Sequence, residues 1–407
     1  MVKYFTEYDP KWTFPLFIFI TANLDNTYLV CHIRKYRTEF IPGKEIYMKR
    51  FSILLFLILI CFIASFIHAA APPESQVNEP LSPEPSNLTA GTLMAVGDIS
   101  FSGIDGLVLK NPEYPWMNVK SVLDSATVLM GNEECPLSNR GTIYTEKRWK
   151  LRANPRTVQS LAFAGFDVVT LSNNHLMDYG PIAMRDTIDT LDQANIGHAG
   201  AGENLAGARQ PFIFTTPEGV KFAFLAYSLV YPEIFWANST RPGTPYGDPA
   251  FFVPDIKKAK TMADFVIVSF HWSDELHFYP SDYQKVYGKK CIDAGASIVI
   301  GHHPHVLQGL EVYKGGLIAY SLGNFVFGSN SKNIKDSIIL SMEYDKNGFT
   351  KAKLYPVNVY NPEVNFQPRL RHGADAERVL QDLRTFSKEF RTAIESQGDV
   401  GVIKIHP

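Results

Sequence analysis

Three histidines in four positions, His302, His303 and His305 with Pro304 among them, follow directly on the apolar run ASIVI. Alternate residues of an extended segment point the same way, so the His303 and His305 imidazoles are expected to reach one centre. His302, one residue before His303, is expected to point away from it. A loop of surface histidines is the competing account, and three in four after a buried-type strand count against it. Asn173-Asn174-His175 follows the run FDVVTL, with Asp178 just beyond. An amide oxygen can ligate or bridge a metal, while the neighbouring imidazole can protonate a leaving oxygen. Asparagine also favours plain turns, but the place after a strand and before Asp178 speaks for chemistry. Gly97-Asp98, Glu134 and His271-Trp272 carry weaker local signals. Gly-Asp marks many turns, a lone carboxylate is ordinarily solvated, and a His beside Trp is ordinarily packed in a core. Cys135 beside Glu134 belongs to no nucleophile motif and reads as a small apolar residue.

These residues share one context. Six apolar, β-branched runs each end in polar or ionisable groups: TLMAV before Gly97-Asp98, ATVLM before Gly131 to Glu134, FDVVTL before Ser172 to His175, FVIVSF before His271, ASIVI before the histidine cluster, and GLIAYSL before Gly323-Asn324. Between them lie helix-like stretches such as PRTVQSLAFAG, AMRDTIDTLDQAN and SDYQKVYGKKCIDAG, the last opening at the N-cap residue Ser281 and closing on glycine. Alternating strand and helix argues for an α/β protein with buried sheets. In such sheets the crevice beyond the strand carboxyl ends collects side chains from distant parts of the chain. Carboxylate, amide oxygen and imidazole together form a ligand set for Mn, Fe or Zn, with no thiolate required.

The bulk properties are those of a folded globular protein. The 407 residues are 45% apolar and 20% charged, which supports a substantial core. Basic and acidic residues number 39 and 41, so no electrostatic case exists for a nucleic-acid partner. Four scattered cysteines make no disulfide framework; Cys135 and Cys291 could pair if they meet in space, and the plainer reading is two unpaired small apolar residues. Met48-Lys49-Arg50 precedes FSILLFLILICFIASFIHAAA, the three-part pattern of a secretory signal, long enough to serve as an uncleaved anchor. The large residues before Cys61 do not suit a lipidated cysteine. Residues 1–47 then read as an upstream extension ahead of Met48 or as a short cytoplasmic tail, 48–71 as signal peptide or anchor, 72–90 as a proline-rich spacer, and 91–400 as an exported domain.

Taken together, Gly97-Asp98, Asn132-Glu133-Glu134-Cys135-Pro136-Leu137, Asn173-Asn174-His175 with Asp178 and Gly180, His271-Trp272 with Glu275, His303-Pro304-His305 with Gln308, and Tyr320-Ser321-Leu322-Gly323-Asn324-Phe325 resemble, in order, the CapA-type bacterial capsule-synthesis proteins. That family is associated with poly-γ-glutamate capsules and is similar to the calcineurin-like metallophosphoesterases. The resemblance implies a two-sheet αββα sandwich over residues 92–361, continuing into a C-terminal helix. It further implies Asp98, Glu134, Asn174, His271, His303 and His305 as metal ligands, His175 as the acid at the leaving group and Asp178 as its orienting partner. Ser100 stands where the superfamily has a histidine, Glu134 where it has a bridging Asp, Glu133 where the family has an apolar residue, and Ser273 where it has Gly. One or two divalent transition-metal ions (Mn, Fe or Zn) are therefore expected.

Two functional readings follow. One is a metal-assisted hydrolase acting on a phosphoester or related bond. The other is a non-catalytic component of a membrane polymer synthesis or export complex that binds an anionic polymer in the same cleft. A helix is expected from 374 to 396, with Val379, Leu380, Leu383, Phe386, Phe390 and Ile394 on one face.

Overall fold

Alternation of side chains along each central strand creates three apolar layers, and these decide the architecture. In the computed structural model residues 90–405 are described, together with the backbone of β1 (Leu16–Ala22) and β2 (Leu29–Lys35), an antiparallel pair forming a unit of its own. The apolar run at 48–71 and, apart from Ala90, the spacer at 72–90 lie outside the described residues. Among the described residues no helix is long and apolar enough to cross a membrane.

The chain then continues through β3 (Gly91–Ile99), β4 (Val128–Glu133), β5 (Val168–Thr170), β6 (Gly197–Ala199), β7 (Phe212–Thr215), β8 (Lys221–Ser228), β9 (Phe265–His271), β10 (Ile298–His302), β11 (Leu310–Tyr313) and β12 (Gly316–Ala319). It ends with β13 (Asn324–Val326), β14 (Asp336–Asp345), β15 (Gly348–Asn358), β16 (Arg369–Leu370), β17 (Glu395–Gln397) and β18 (Val400–Lys404). One sheet runs β11-β12-β10-β9-β8-β7, with β12, β10, β9 and β8 parallel. The other runs β17-β18-β15-β14-β3-β4-β5-β6, with β3 to β6 parallel, β13 beside β3 and β16 beside β15.

Leu93 and Ala95 of β3 share one buried cluster with Phe222 and Phe224 of β8 and Ile267 of β9, so the two sheets pack face to face. Met94 and Val96 turn the opposite way, against Leu161 of the helix Val158–Ala164 and Met184 of the helix Gly180–Gln193. Val266 and Val268 of β9 likewise meet Phe252 of the helix Pro249–Lys260 and Cys291 of the helix Asp282–Ala294. The expected αββα sandwich is the result. Each such large side chain, fully buried, contributes about 1.5–3 kcal/mol. All six strands expected from the sequence are present. The helix Asp282–Ala294 begins with a capping box between Ser281 and Gln284 and stops at Gly295 in the left-handed region, φ 113°.

The C-terminal expectation needs correction. The helix spans Gly373–Phe386 rather than reaching 396, and β17 and β18 follow as a hairpin. Arg391 adopts φ 58°, which turns the chain back, and β18 pairs with β15. Ile394 is still buried, now beside the hairpin rather than along a helix face. The folded unit runs past 400, since Val402, Ile403 and Ile405 are buried.

Candidate metal centre

Parallel strands from both sheets end on one side of the sandwich. Asp98 is the penultimate residue of β3, Glu134 follows β4, the Asn173–His175 turn follows β5, His271 closes β9, and His302 closes β10. All are buried, His175 being the most exposed of the charge-bearing groups apart from His305, at 7% for each. Gly97 is required by close approach: a Cβ there would lie 1.9 Å from the Gly323 carbonyl oxygen, which accepts the Asp98 N–H at 3.0 Å. That contact ties β3 to the segment carrying Asn324. Gly301 is needed for the same reason, with the Tyr320 carbonyl 1.9 Å from a hypothetical Cβ.

Donor atoms of Asp98, Glu134 and His305 lie within 4.8 Å of one another, and so do those of Glu134, His271 and His303. Two triads thus share one carboxylate. Asn174 Oδ1 is 2.9 Å from His271 Nε2 and joins the second triad. Every residue expected as a ligand is brought to this centre. The route for His303 and His305 differs from expectation, because β10 ends at His302 and neither residue is extended. They adopt φ 91° and 59°, at a cost of about 1–2 kcal/mol each. Left-handed turns on both sides of Pro304 aim the imidazoles inward. Ser273, in the position where glycine was expected, also lies in this region at φ 73°, so the turn after His271-Trp272 itself favours glycine.

The donor set fits a divalent cation. Both carboxylate oxygens of Glu134, Nδ1 of His271 and Nδ1 of His303 are buried without a hydrogen-bond partner. A buried carboxylate left alone is costly unless it is neutralised or coordinates a metal. Burial, then the nearby Asp98 charge, raises Glu134 well above the usual carboxylate range. Burial also keeps His271 well below its ordinary value and pushes His303 down to about 3. Both rings are therefore neutral and offer a lone pair. Burial alone would lower His305, but the charges of Glu134 and Asp98 lift it to about 9.

His175 stands at the edge of the cluster. Its Nδ1 is 2.6 Å from Asp178 Oδ2, while Nε2 lies 4.0 Å from Glu134 Oε1. Burial lowers its pKa, against the pull of the Asp178 hydrogen bond. Asp178 also accepts from Leu151 N and from Lys147 Nζ, each at 2.7 Å. Lys147 has no sequence signal of its own. It lies in a long loop with no strand before it, and only the fold brings it to within 3.1 Å of His175 Nδ1.

His302 does not point away. Its Nδ1 lies 2.9 Å from Asp98 Oδ1, and Asn132 Nδ2 donates to the same oxygen at 2.9 Å. As the last residue of β10, His302 shares the inter-sheet face of Ile298 and Ile300, and the left-handed turns after it bring His303 and His305 to the same centre. Asn173 braces the turn before His175, accepting from the N–H groups of His175 and Leu176 and donating to the Glu133 carbonyl. Asn324 Oδ1 lies 2.7 Å from His305 Nδ1. Replacing His302 with Ala is expected to weaken metal affinity by about 10–100-fold, the usual penalty for losing a partner that orients a ligand. Metal titration by calorimetry checks this, and unchanged affinity would make His302 a packing residue only.

Glu133 is set apart from the donors. Its Oε1 accepts from Cys135 N at 3.3 Å and Cys135 Sγ at 3.1 Å, and burial raises its pKa to about 8. It can occupy a site suited to an apolar residue because at neutral pH it is largely protonated. Cys135 and Cys291 are both free and buried, as expected.

Comparison with known proteins agrees with this picture. The chain is 35% identical over 266 residues to the PGA biosynthesis protein CapA of Bacillus subtilis (strain 168), covering 65% of this chain and 70% of that protein. It is 33% identical over 321 residues to the capsule biosynthesis protein CapA of Bacillus anthracis, covering 76% and 75%. Among solved structures, the calcineurin-like phosphoesterase YfkN from Bacillus subtilis aligns with 75% of this chain and 99% of its own at 15% identity and a TM-score of 0.38. So loose a likeness carries no argument, and the fold rests on the layering described above. The family model for the bacterial capsule synthesis protein PGA_cap matches residues 92–329, and the chain belongs to that family.

Proposed function

We propose that this protein serves in making a poly-γ-glutamate-type capsule and that its cleft is a metal-dependent hydrolase site of phosphoesterase type. The relatives' roles in PGA and capsule biosynthesis support the first part. One observation carries the second: His175 is held by Asp178 beside the donor cluster, with Nε2 left facing it. A site built only to bind a cation has no need of an oriented imidazole outside the ligand set.

Asp98, Glu134 and His305 would hold one ion, and Glu134, Asn174, His271 and His303 another. Oxygen and imidazole donors without thiolate suit Mn, Fe or Zn. Bound there, such ions activate water and neutralise charge developing on substrate oxygens. The remaining work falls to the chain. Asp178 accepts the hydrogen bond of His175 Nδ1 and supports the charge on the ring when Nε2 also carries a proton. As water adds and the bond to the leaving oxygen breaks, Nε2 delivers that proton to the leaving oxygen. Lys147 offsets the Asp178 charge and holds the Asn174–Asp178 turn in place, donating also to the Asn174 carbonyl. The substrate is an anionic phosphoester or polymer.

Metal analysis of the purified protein, followed by a screen of phosphomonoesters and phosphodiesters with Mn, Fe or Zn restored, tests this reading. Hydrolysis that chelation abolishes and metal restores is the expected outcome. Bound metal without hydrolysis would leave a polymer-binding component, and absence of both would end the metal-site assignment.

A further inference from the structure

A loop that the chemistry above uses only for Lys147 lies pinned across the His175–Asp178 pair. Thr142 N donates to the Tyr179 carbonyl at 3.1 Å, Tyr144 N to the Asp178 carbonyl at 2.8 Å, and Leu151 N to Asp178 Oδ2 at 2.7 Å. Contact is so close at Gly141 (φ 90°) that a Cβ would lie 2.1 Å from the Tyr179 carbonyl oxygen. The backbone is therefore held at several points along its length. Within this tied segment Trp149 is 66% exposed. An indole is among the most costly side chains to leave in water, and a rigid loop gives it little chance to fold away.

Trp149 borders a cavity of about 330 Å³ that reaches His175 and His305 and is walled also by Leu151, Phe327 and Ile334. The space is far larger than a phosphate group needs. The same walls carry polar groups from Asn324, Ser329, Asn330 and Glu275, and apolar surface combined with placed polar groups is the make-up of a site for an organic molecule. The Arg148 guanidinium lies 5.1 Å from the Trp149 ring centroid, which adds a cation beside the apolar surface. The cavity reaches both His305 of the donor cluster and His175, so a group that fills it while the reacting bond sits at the donors lies next to the imidazole that serves the leaving oxygen.

We propose that Trp149 is a substrate-contacting residue that packs against the leaving portion of the ester. The substrate class is then an organic phosphoester with a flat or aliphatic leaving portion, not an inorganic polyphosphate. This rests on the hydrolase reading of the cleft, and the test separates the two. With the full chain loaded with Mn and bis(p-nitrophenyl) phosphate as probe, Trp149→Ala should raise KM about tenfold, the order expected for losing an aromatic contact, with kcat nearly unchanged. Trp149→Phe should recover most of the loss, and inhibition by inorganic phosphate should stay at the wild-type level. Binding of a ligand that cannot turn over gives a second reading: the metal-loaded wild type should hold phenylphosphonate more tightly than inorganic phosphate, and Trp149→Ala should erase the difference. Absence of that preference in the wild type, or an unchanged KM in Trp149→Ala, overturns the proposal. So does a parallel fall in kcat and phosphate inhibition, which would show that Trp149 only holds the loop. A wild type that prefers the aryl ligand yet never hydrolyses bis(p-nitrophenyl) phosphate would defeat the hydrolase reading and leave the Trp149 contact standing.

Discussion

Replacing His175 with Ala should lower turnover by about 10²–10⁴-fold, the range supplied by a positioned proton donor, while metal content and melting temperature stay near wild type. The physical reason is its place at the edge of the cluster. Asn174 and His271 are joined at 2.9 Å within the second triad, whereas His175 Nε2 lies 4.0 Å from the nearest Glu134 oxygen. Loss of the ring removes the proton donor and leaves the donors intact. Asp98→Ala should behave differently, losing metal and activity together, because Asp98 Oδ1 contacts His302 and Oδ2 accepts the His303 N–H at 3.2 Å. Steady-state kinetics with parallel metal analysis reads both. If the cleft only binds polymer, His175→Ala will leave capsule output unaffected while Asp98→Ala abolishes it. Small, equal effects of the two substitutions would retire both functional readings.

The second large effect concerns the shared carboxylate. Since one side chain serves both triads, Glu134→Gln should empty the whole centre, whereas His303→Ala and His305→Ala should each reduce bound metal and the double variant should strip it. Metal stabilises the folded state by mass action, about 4 kcal/mol when present at a thousand times its dissociation constant. Chelation should therefore lower the melting temperature of the wild type by several degrees and leave Glu134→Gln unmoved. The metal-free variant should melt no lower than the metal-free wild type, because the amide removes a carboxylate that lacks partners in the interior. Full metal retention in the His303/His305 double variant would contradict the assignment. Such retention in Glu134→Gln would show instead that the carboxylate is dispensable.

Much of this was legible before any fold was known, for a local reason. The run of apolar residues that makes a buried parallel strand is continuous, and its end is marked by the first polar group. Asp98, Glu134, Asn174, His271 and the histidine cluster each stand at such an end. Sheet geometry then gathers strand carboxyl ends in one crevice. Residue types at those ends were enough to mark a candidate donor set of carboxylate, amide and imidazole, and the resemblance to the capsule-synthesis family assigned the individual ligands. The helix at Asp282–Ala294 was equally readable, since its capping box and closing glycine act within a single turn.

Where side-chain direction depends on contacts made far away, the sequence was silent or misleading. Parity along a strand predicts that His303 and His305 point together and His302 apart, but parity holds only while the backbone stays extended. Beyond β10 it does not: His303 and His305 turn back in left-handed conformations, while His302, still in β10, points with Ile298 and Ile300 between the sheets and meets Asp98, 204 residues earlier in the chain. Lys147 reaches Asp178 across 31 residues of chain, and Trp149 overhangs the cavity only because its loop is tied to that same residue. The C-terminal helix shows the same division. Its apolar spacing suits a helix through Ile394, yet β18 finds an open edge on β15, and pairing there takes precedence over local periodicity. Sequence by itself determined which residue types stand at the strand ends and which family the chain resembles. Tertiary structure alone decided how two triads come to share Glu134, and which side chains orient them, because those contacts join segments that only packing brings together.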